Sequence, residues 1–214
     1  MYIFDADGTI IDSAKSIAYH LNKALDDFKI PEVCYKDVES FLGNGSTVLV
    51  KKALEKNKIK DDDLCKKVLE DYLKRYNDNP AYLTNAYDGI IDELSKLKEM
   101  DKIIVFSNKP HDILNNLCDE VFGKDFFDMV LGQSGNYKRK PSPEGIYIIK
   151  EKFEAKNSDI IYFGDTEVDI DCAKRANVLS VACTWGFRNR DYLVSFKPDI
   201  IIDKVEDISK IRRV

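Results

Sequence analysis

The chain has 214 residues, 44% of them hydrophobic and 33% charged. That balance supports one large core or two small ones and excludes a collagen-like, mucin-like or disordered chain. Lys and Arg number 33 against 38 Asp and Glu, a formal charge of −5, which lacks the basic footprint of a nucleic-acid binder.

The first predicted element is the apolar run Tyr2–Phe4, which ends in Asp5-Ala6-Asp7-Gly8-Thr9. From Ser13 to Leu83 only helical patterns follow. Ile17, Leu21, Leu25 and Phe28 share one face; Val48, Leu49, Ala53 and Leu54 make a second helix; Leu64, Val68, Tyr72 and Tyr76 make a third. Asp12-Ser13 and Ser46-Thr47 are N-cap candidates for two of these. From Gly89 onward helix and strand alternate. A helix through Ile90, Leu94 and Leu97 precedes the run Ile103–Phe106 and the cluster Ser107-Asn108-Lys109-Pro110. A helix through Ile113, Leu114, Leu117, Cys118 and Val121 leads to Met129–Leu131, with Tyr137-Lys138-Arg139-Lys140-Pro141 shortly beyond. A helix through Ile146, Ile149 and Phe153 leads to Ile160–Phe163 and then Gly164-Asp165-Thr166-Glu167-Val168-Asp169. A last helix through Ile170, Ala173 and Ala176 precedes the runs Leu179–Cys183 and Ile200–Ile202.

The apolar runs are continuous rather than alternating, as in strands buried on both faces of a parallel sheet. Strand–helix alternation then predicts an α/β, Rossmann-like, doubly wound core with right-handed crossovers. The expected division is a catalytic core of residues 1–12 and 84–214 and an inserted α-helical cap of residues 13–83. A helical lid of that size usually governs access to a site. No apolar run nears the ~20 residues of a membrane span, so no membrane partner is expected. The first residues turn acidic too soon for a signal peptide. Cys34, Cys65, Cys118, Cys172 and Cys183 are odd in number, widely spaced and form no C-x-x-C pair. They read as reduced thiols of a cytoplasmic protein, and His20 and His111 alone do not make a zinc site.

Each of the four polar clusters lies at or beyond the end of an apolar run, and ligands of open parallel sheets bind at the carboxyl ends of the strands. Asp5, Asp7, Asp165 and Asp169 would then crowd together, which like charges tolerate only with a cation. Oxygen ligands without clustered His or Cys favour Mg²⁺. Lys140 adds a positive charge and Ser107 a hydroxyl, a set that suits a transferring phosphoryl group. A carboxylate can also act as a nucleophile and form an aspartyl-phosphate.

The order of these clusters resembles the haloacid dehalogenase superfamily over nearly the whole chain. Its D-x-D-G-T motif is matched by Asp5 to Thr9, its strand-ending Ser or Thr by Ser107, its Lys by Lys140 before Pro141, and its acidic G-D-x-x-x-D by Gly164, Asp165 and Asp169. The helical insertion, Leu42-Gly43-Asn44-Gly45, Asn108-Lys109-Pro110 and Trp185-Gly186-Phe187 are similar to the phosphoglycolate phosphatase-like branch. Ala6 replaces the commoner Leu, and Asn177 stands where Gly often ends the helix. The resemblance implies Asp5 as nucleophile and Asp7 as general acid and then base. It implies Mg²⁺ held by the side chains of Asp5 and Asp165 and the backbone carbonyl of Asp7, with Asp169 in support. Ser107 and Lys140 would hold the phosphoryl oxygens, with Thr9, Asn108, Gly43, Asn44 and Gly45 in the substrate-binding set. The implied reaction is hydrolysis of a small phosphorylated metabolite, phosphoglycolate first, with a pyrophosphatase or a sugar-phosphate mutase as the alternative. A non-catalytic α/β module keeps the same fold, but both Asp5 and Asp7 are present. Whether the chain is a monomer or a homodimer is left open.

Each feature also has a plainer reading. Asp-Gly favours turns, Asp165 and Asp169 suit a helix N-terminus, and Ser107-Asn108 could cap the next helix. Gly43-Asn44-Gly45 is a turn in any case. Lys138-Arg139-Lys140 is a charge run, in which only the following Pro141 singles out Lys140. His20 is expected at the surface or partly buried, His111 at a helix start, Tyr72 and Tyr76 in the core of the cap, and Trp185 in packing. Lys51, Lys52, Lys56 and Lys58 have no context marking them as a desolvated Schiff-base lysine.

Overall fold

In the computed structural model, which describes residues 1–212, the sequence patterns become the following elements. The first strand, β1 (Tyr2–Phe4), leads through the two-residue β2 (Ile11–Asp12) into helices α1 (Ala14–Asp27), α2 (Tyr35–Phe41), α3 (Ser46–Lys56) and α4 (Asp62–Asp78). The chain returns through β3 (Asn85–Ala86) and continues as α5 (Ile90–Lys98), β4 (Ile103–Pro110), α6 (His111–Phe122) and β5 (Met129–Gln133). It ends with α7 (Glu144–Lys152), β6 (Ile161–Gly164), α8 (Glu167–Ala176), β7 (Leu179–Cys183), α9 (Arg190–Ser195) and β8 (Ile200–Ile202).

Six strands form one sheet in the order β5-β4-β1-β6-β7-β8, and every pairing in it is parallel. With β2 and β3 set aside, this is the order of a doubly wound Rossmann-like sheet, whose direction of winding reverses between β1 and β6. Residues alternate across β1. Phe4 stacks on Phe163 with centroids 4.6 Å apart and joins Leu94, Leu97, Leu114 and Leu117 of α5 and α6 on one face. Ile3 joins Ile104, Phe106, Ile146, Ile149 and Ala173, against α7 and α8, on the other. Burial on both faces explains why these strands read as unbroken apolar runs.

The stripes on α1, α3 and α4 converge in a separate cluster that includes Leu21, Leu25, Val50, Ala53, Val68 and Tyr72. The two chain segments leading into and out of these helices pair as an antiparallel ribbon, Ile11 opposite Ala86 and Asp12 opposite Asn85. Among the described residues no helix is long and apolar enough to cross a membrane. All five cysteines are free.

Several local expectations are corrected. Ser13 stands at the N-cap of α1 but makes no cap bond, because its hydroxyl donates to Asp7 instead. The N-cap of α3 is Gly45, at φ +82°, and Ser46 is already helical. His20 is buried, 4% exposed, because its ring stacks on Tyr76. Neither α2 nor α9 is expected from the sequence pattern: each turns a single buried residue inward, Val38 and Leu193, so neither carries a periodic stripe. Asn177 does take the left-handed conformation, φ +55°, that ends α8.

Leu94 is fully buried between α5 and the sheet. Leu94→Ala is expected to cost about 2–5 kcal/mol of stability, read as a lower urea midpoint with an unchanged m-value.

Candidate active site

The parallel sheet delivers polar residues to one edge because the apolar runs give way to polar residues at the carboxyl ends of the strands, β4 itself running on through Ser107, Asn108 and Lys109. Asp5 follows β1, and its amide donates to the carbonyl of Phe163 in β6 (2.9 Å). Asp165 follows β6, and Asp169 lies in the first turn of α8. Lys140 comes from the loop after β5. Its ammonium reaches Asp5 Oδ1 at 2.9 Å and Asp169 Oδ1 at 2.7 Å, and it donates to the Tyr162 hydroxyl at 3.0 Å. Lys140 is 2% exposed, whereas Lys138 is exposed and pairs with Glu144. The position before Pro141 therefore separates the buried lysine from its neighbours.

Carboxylate oxygens of Asp5, Asp165 and Asp169 lie within 4.8 Å of one another. Burial, opposed by Lys140 and reinforced by Asp169, pushes the Asp5 carboxyl up to about 6. Burial and the charges of Asp169 and Asp5 raise Asp165 well above the usual carboxylate range. Lys140 is held above the ordinary lysine value because Asp169 and Asp5 outweigh the opposing effect of burial. Among the described residues, Asp165 receives only neutral donors, the Thr9 hydroxyl (3.1 Å) and the Phe187 amide (2.8 Å). One ammonium for three buried carboxylates leaves net negative charge, and the donors are all oxygens. A hard divalent cation such as Mg²⁺ fits that set. Asp169 is also fixed from behind, its Oδ2 accepting from the Thr166 amide (3.1 Å) and hydroxyl (2.6 Å).

Two glycines make room for this cluster. Gly8 has φ +85°, and a Cβ on it would collide with the Asp165 carboxylate. A Cβ on Gly186 would strike Asp165 and the Gly8 carbonyl.

Asp7 points elsewhere. Its carboxylate accepts from Ser13 Oγ and from Lys109 Nζ at 2.9 and 3.0 Å. Lys109 also donates to the Tyr76 hydroxyl of α4 at 2.8 Å. A cavity of about 50 Å³ opens here, lined among others by Asp5, Asp7, Tyr76, Ser107, Asn108 and Lys109. Sequence reasoning singled out neither Lys109 nor Tyr76 as site residues. Lys109 had a signal, its place in the strand-end cluster. Tyr76 had none, since it sits on an apolar stripe.

The remaining expected residues fall as follows. Gly43 and Gly45 line the cavity. Asn44 does not; its carbonyl accepts from Arg139 (3.1 Å), and the residue borders a groove on the other side of the loop. Thr9 is fully buried behind Asp165 rather than on the cavity wall. Asn108 donates to the carbonyls of Gly43 (3.1 Å) and Lys140 (3.2 Å). Trp185 donates to the Thr9 carbonyl (3.0 Å), and His111 accepts from the Gly132 amide through Nδ1 (3.3 Å).

The family model of the haloacid dehalogenase-like hydrolases matches residues 2–183. The chain belongs to this family. The haloacid dehalogenase-like chain is 31% identical to a phosphoglycolate phosphatase of Aquifex aeolicus, over 98% of its own length and 94% of the relative's. A solved structure described as a predicted phosphoglycolate phosphatase from Haemophilus somnus superimposes with TM-score 0.91 at 27% identity, covering 98% of this chain and 96% of that one. A β-phosphoglucomutase from Clostridium difficile shares the fold, with TM-score 0.78 and 21% identity over 99% and 92% of the two chains. Within the haloacid dehalogenase-like family, this is an enzyme of the phosphoglycolate phosphatase-like branch.

Lys140→Met leaves three buried carboxylates without their ammonium. In EDTA it is expected to lose about 3–5 kcal/mol of stability at pH 7 to 8. A carboxyl that is raised on folding binds its proton more tightly in the folded chain, so stability falls as pH rises through about 4 to 6. The deficit of Lys140→Met against the wild type is therefore largest above this window and shrinks towards pH 4. Urea midpoints at both ends check this.

Proposed function

We propose that the enzyme is a Mg²⁺-dependent phosphatase that hydrolyses a small phosphomonoester, phosphoglycolate first, through phospho-Asp5. The observation that carries this reading is the pairing of a buried carboxylate, Asp5, on a cavity wall with a three-carboxylate cluster that holds only one ammonium. In this proposal residues 1–12 and 84–214 are the catalytic core, and residues 13–83 are a cap that closes over it.

In the proposed sequence, Asp5 Oδ attacks phosphorus and the bond to the leaving oxygen breaks. Asp7 gives its proton to that oxygen. Water then attacks the phospho-aspartate, Asp7 takes the water's proton, and the Asp5–phosphate bond breaks to release orthophosphate. Ser107 and Lys140 bind phosphoryl oxygens and hold the group in line. Asp5 and Asp165 would hold the cation together with the Asp7 main-chain carbonyl, because the Asp7 side chain is engaged by Ser13 and Lys109. Bound there, Mg²⁺ supplies charge neutralisation for the phosphoryl oxygens. Asp169 stands close enough to belong to the same cluster, though its oxygens are committed to Lys140 and Thr166. Gly43 and Gly45 bring the loop between α2 and α3 against the leaving group. Thr9 supports Asp165, Asn108 fixes the Gly43 carbonyl, and Asn44 acts through its main chain. The name of the Aquifex relative supports phosphoglycolate as the substrate; the likeness to the mutase extends to the fold alone.

Phosphate release from phosphoglycolate and p-nitrophenyl phosphate tests the reading. Activity is expected to need Mg²⁺, to disappear in EDTA, and to fall at least about 10³-fold in Asp5→Asn. Full activity in Asp5→Asn would sink it. Mg²⁺ at ~100 times its Kd is expected to stabilise the fold by about 2.7 kcal/mol, read as a higher melting temperature at pH 7 and lost with Asp165→Asn.

A further inference from the structure

We infer that Lys109, seated by Tyr76 of α4, is a positioning residue that fixes the Asp7 carboxylate, so that the helical unit takes part in the acid–base step. The inference rests on the phosphatase reading above. It turns on Asp7, Lys109 and Tyr76, whereas the observation that carries that reading concerns Asp5, Asp165, Asp169 and Lys140.

The geometry is that of a clamp. Lys109 Nζ meets both oxygens of Asp7, at 2.9 and 3.0 Å, which fixes the direction in which the carboxylate points. Ser13, at the entry to α1, adds an off-axis donor to Oδ1, which sets the rotation of the carboxylate about that direction. The ammonium is itself oriented by the Tyr76 hydroxyl at 2.8 Å, with the Tyr76 ring centroid 4.4 Å away. Tyr76 has little freedom, since His20 stacks on it at 5.0 Å and 23° and Tyr72 leans on it at 5.7 Å. Lys109 is 6% exposed and Tyr76 1%, so neither contact is weakened by bulk water.

Asp7 belongs to the segment after β1, Lys109 to β4 and Tyr76 to α4. The proton donor of the core is thus oriented through a chain of contacts that ends on a helix of the inserted unit. A shift of α4 would release Lys109, and with it the orientation of Asp7. A general acid acts only within hydrogen-bond reach of the leaving oxygen, so this link makes its alignment depend on where the helical unit sits.

An ion pair that merely stabilises the fold would lower activity on every substrate alike. A positioning role depends on the leaving group. An alkoxide needs a proton as it departs and p-nitrophenolate does not. The value of kcat/KM reports the steps up to phosphoryl transfer to Asp5 and excludes the later hydrolysis. The test measures kcat/KM of wild type, Lys109→Met and Tyr76→Phe with p-nitrophenyl phosphate and with phosphoglycolate or glycerol phosphate, whichever alkyl ester turns over faster. Lys109→Met is expected to lose about 10²-fold on the alkyl ester and less than about 5-fold on p-nitrophenyl phosphate. Tyr76→Phe keeps the ring packing and removes only the hydroxyl. It is expected to lose about 3- to 10-fold on the alkyl ester with the same selectivity. Equal losses on both substrates, or no loss on the alkyl ester, would overturn the inference. If Lys109→Met does not fold, Tyr76→Phe alone decides. Failure of the phosphatase reading is distinguishable, because it shows as activity that survives Asp5→Asn.

Discussion

The arrangement at the sheet edge depends on one buried ammonium. Lys140 Nζ lies 2.9 Å from Asp5 and 2.7 Å from Asp169, in a place where burial pushes the Asp5 carboxyl towards its protonated form. It is the cation that lets them sit side by side, and it does not neutralise them all. Asp165 is left with neutral donors, and the residual negative charge on oxygen-only donors fits a hard cation. Gly8 and Gly186 keep the space around Asp165 clear of side-chain atoms. Under the proposed function, a cation bound there would offset the mutual repulsion of the carboxylates and so stabilise the fold.

The sheet supplies the means of assembling it. The reversal of winding between β1 and β6 brings Asp5 and Asp165, far apart in the chain, to adjacent strand ends. The loop after β5 reaches back across β4 and β1 to insert Lys140, held by Asn108, whose Oδ1 accepts from the Lys140 amide at 2.8 Å. The same Asn108 donates to Gly43. Arg188 and Arg139 donate to the carbonyls on either side of it, those of Leu42 and Asn44 (both 3.1 Å). Three successive carbonyls of the loop between α2 and α3 are thus tied to the sheet side of the molecule. The bonds are polar and few, the kind of contact that can break and re-form without unfolding either cluster of apolar residues.

The strands were legible in the sequence because burial on both faces leaves unbroken apolar runs. The helices α1, α3, α4, α5, α6, α7 and α8 were legible because each buries a stripe. The two-residue ribbon of β2 and β3, and the short α2 and α9, were not, since a pattern needs more residues than they have. Ser13 stands at the expected N-cap, but the sequence does not say whether its hydroxyl turns to its own helix or, as it does, to a carboxylate six positions earlier. His20 did mislead, its burial being set by Tyr76 on a helix distant in the chain.

By itself the sequence determined the family, the doubly wound sheet and the set of polar residues at the strand ends, because motif order and apolar periodicity are properties of the chain read locally. It also marked Lys140 out from Lys138. Only the tertiary structure decided how the polar residues divide their work. Asp5, Asp165 and Asp169 form one cluster, while Asp7, two residues from Asp5, turns away to Lys109. It also decided that Tyr76, one more apolar position on a stripe, places its hydroxyl against Lys109. The reason is physical. Which groups come within hydrogen-bond distance across strands and helices depends on side-chain packing between segments far apart in the chain, 102 residues for Lys109 and Asp7 and 156 for Thr9 and Asp165, and no local pattern records it.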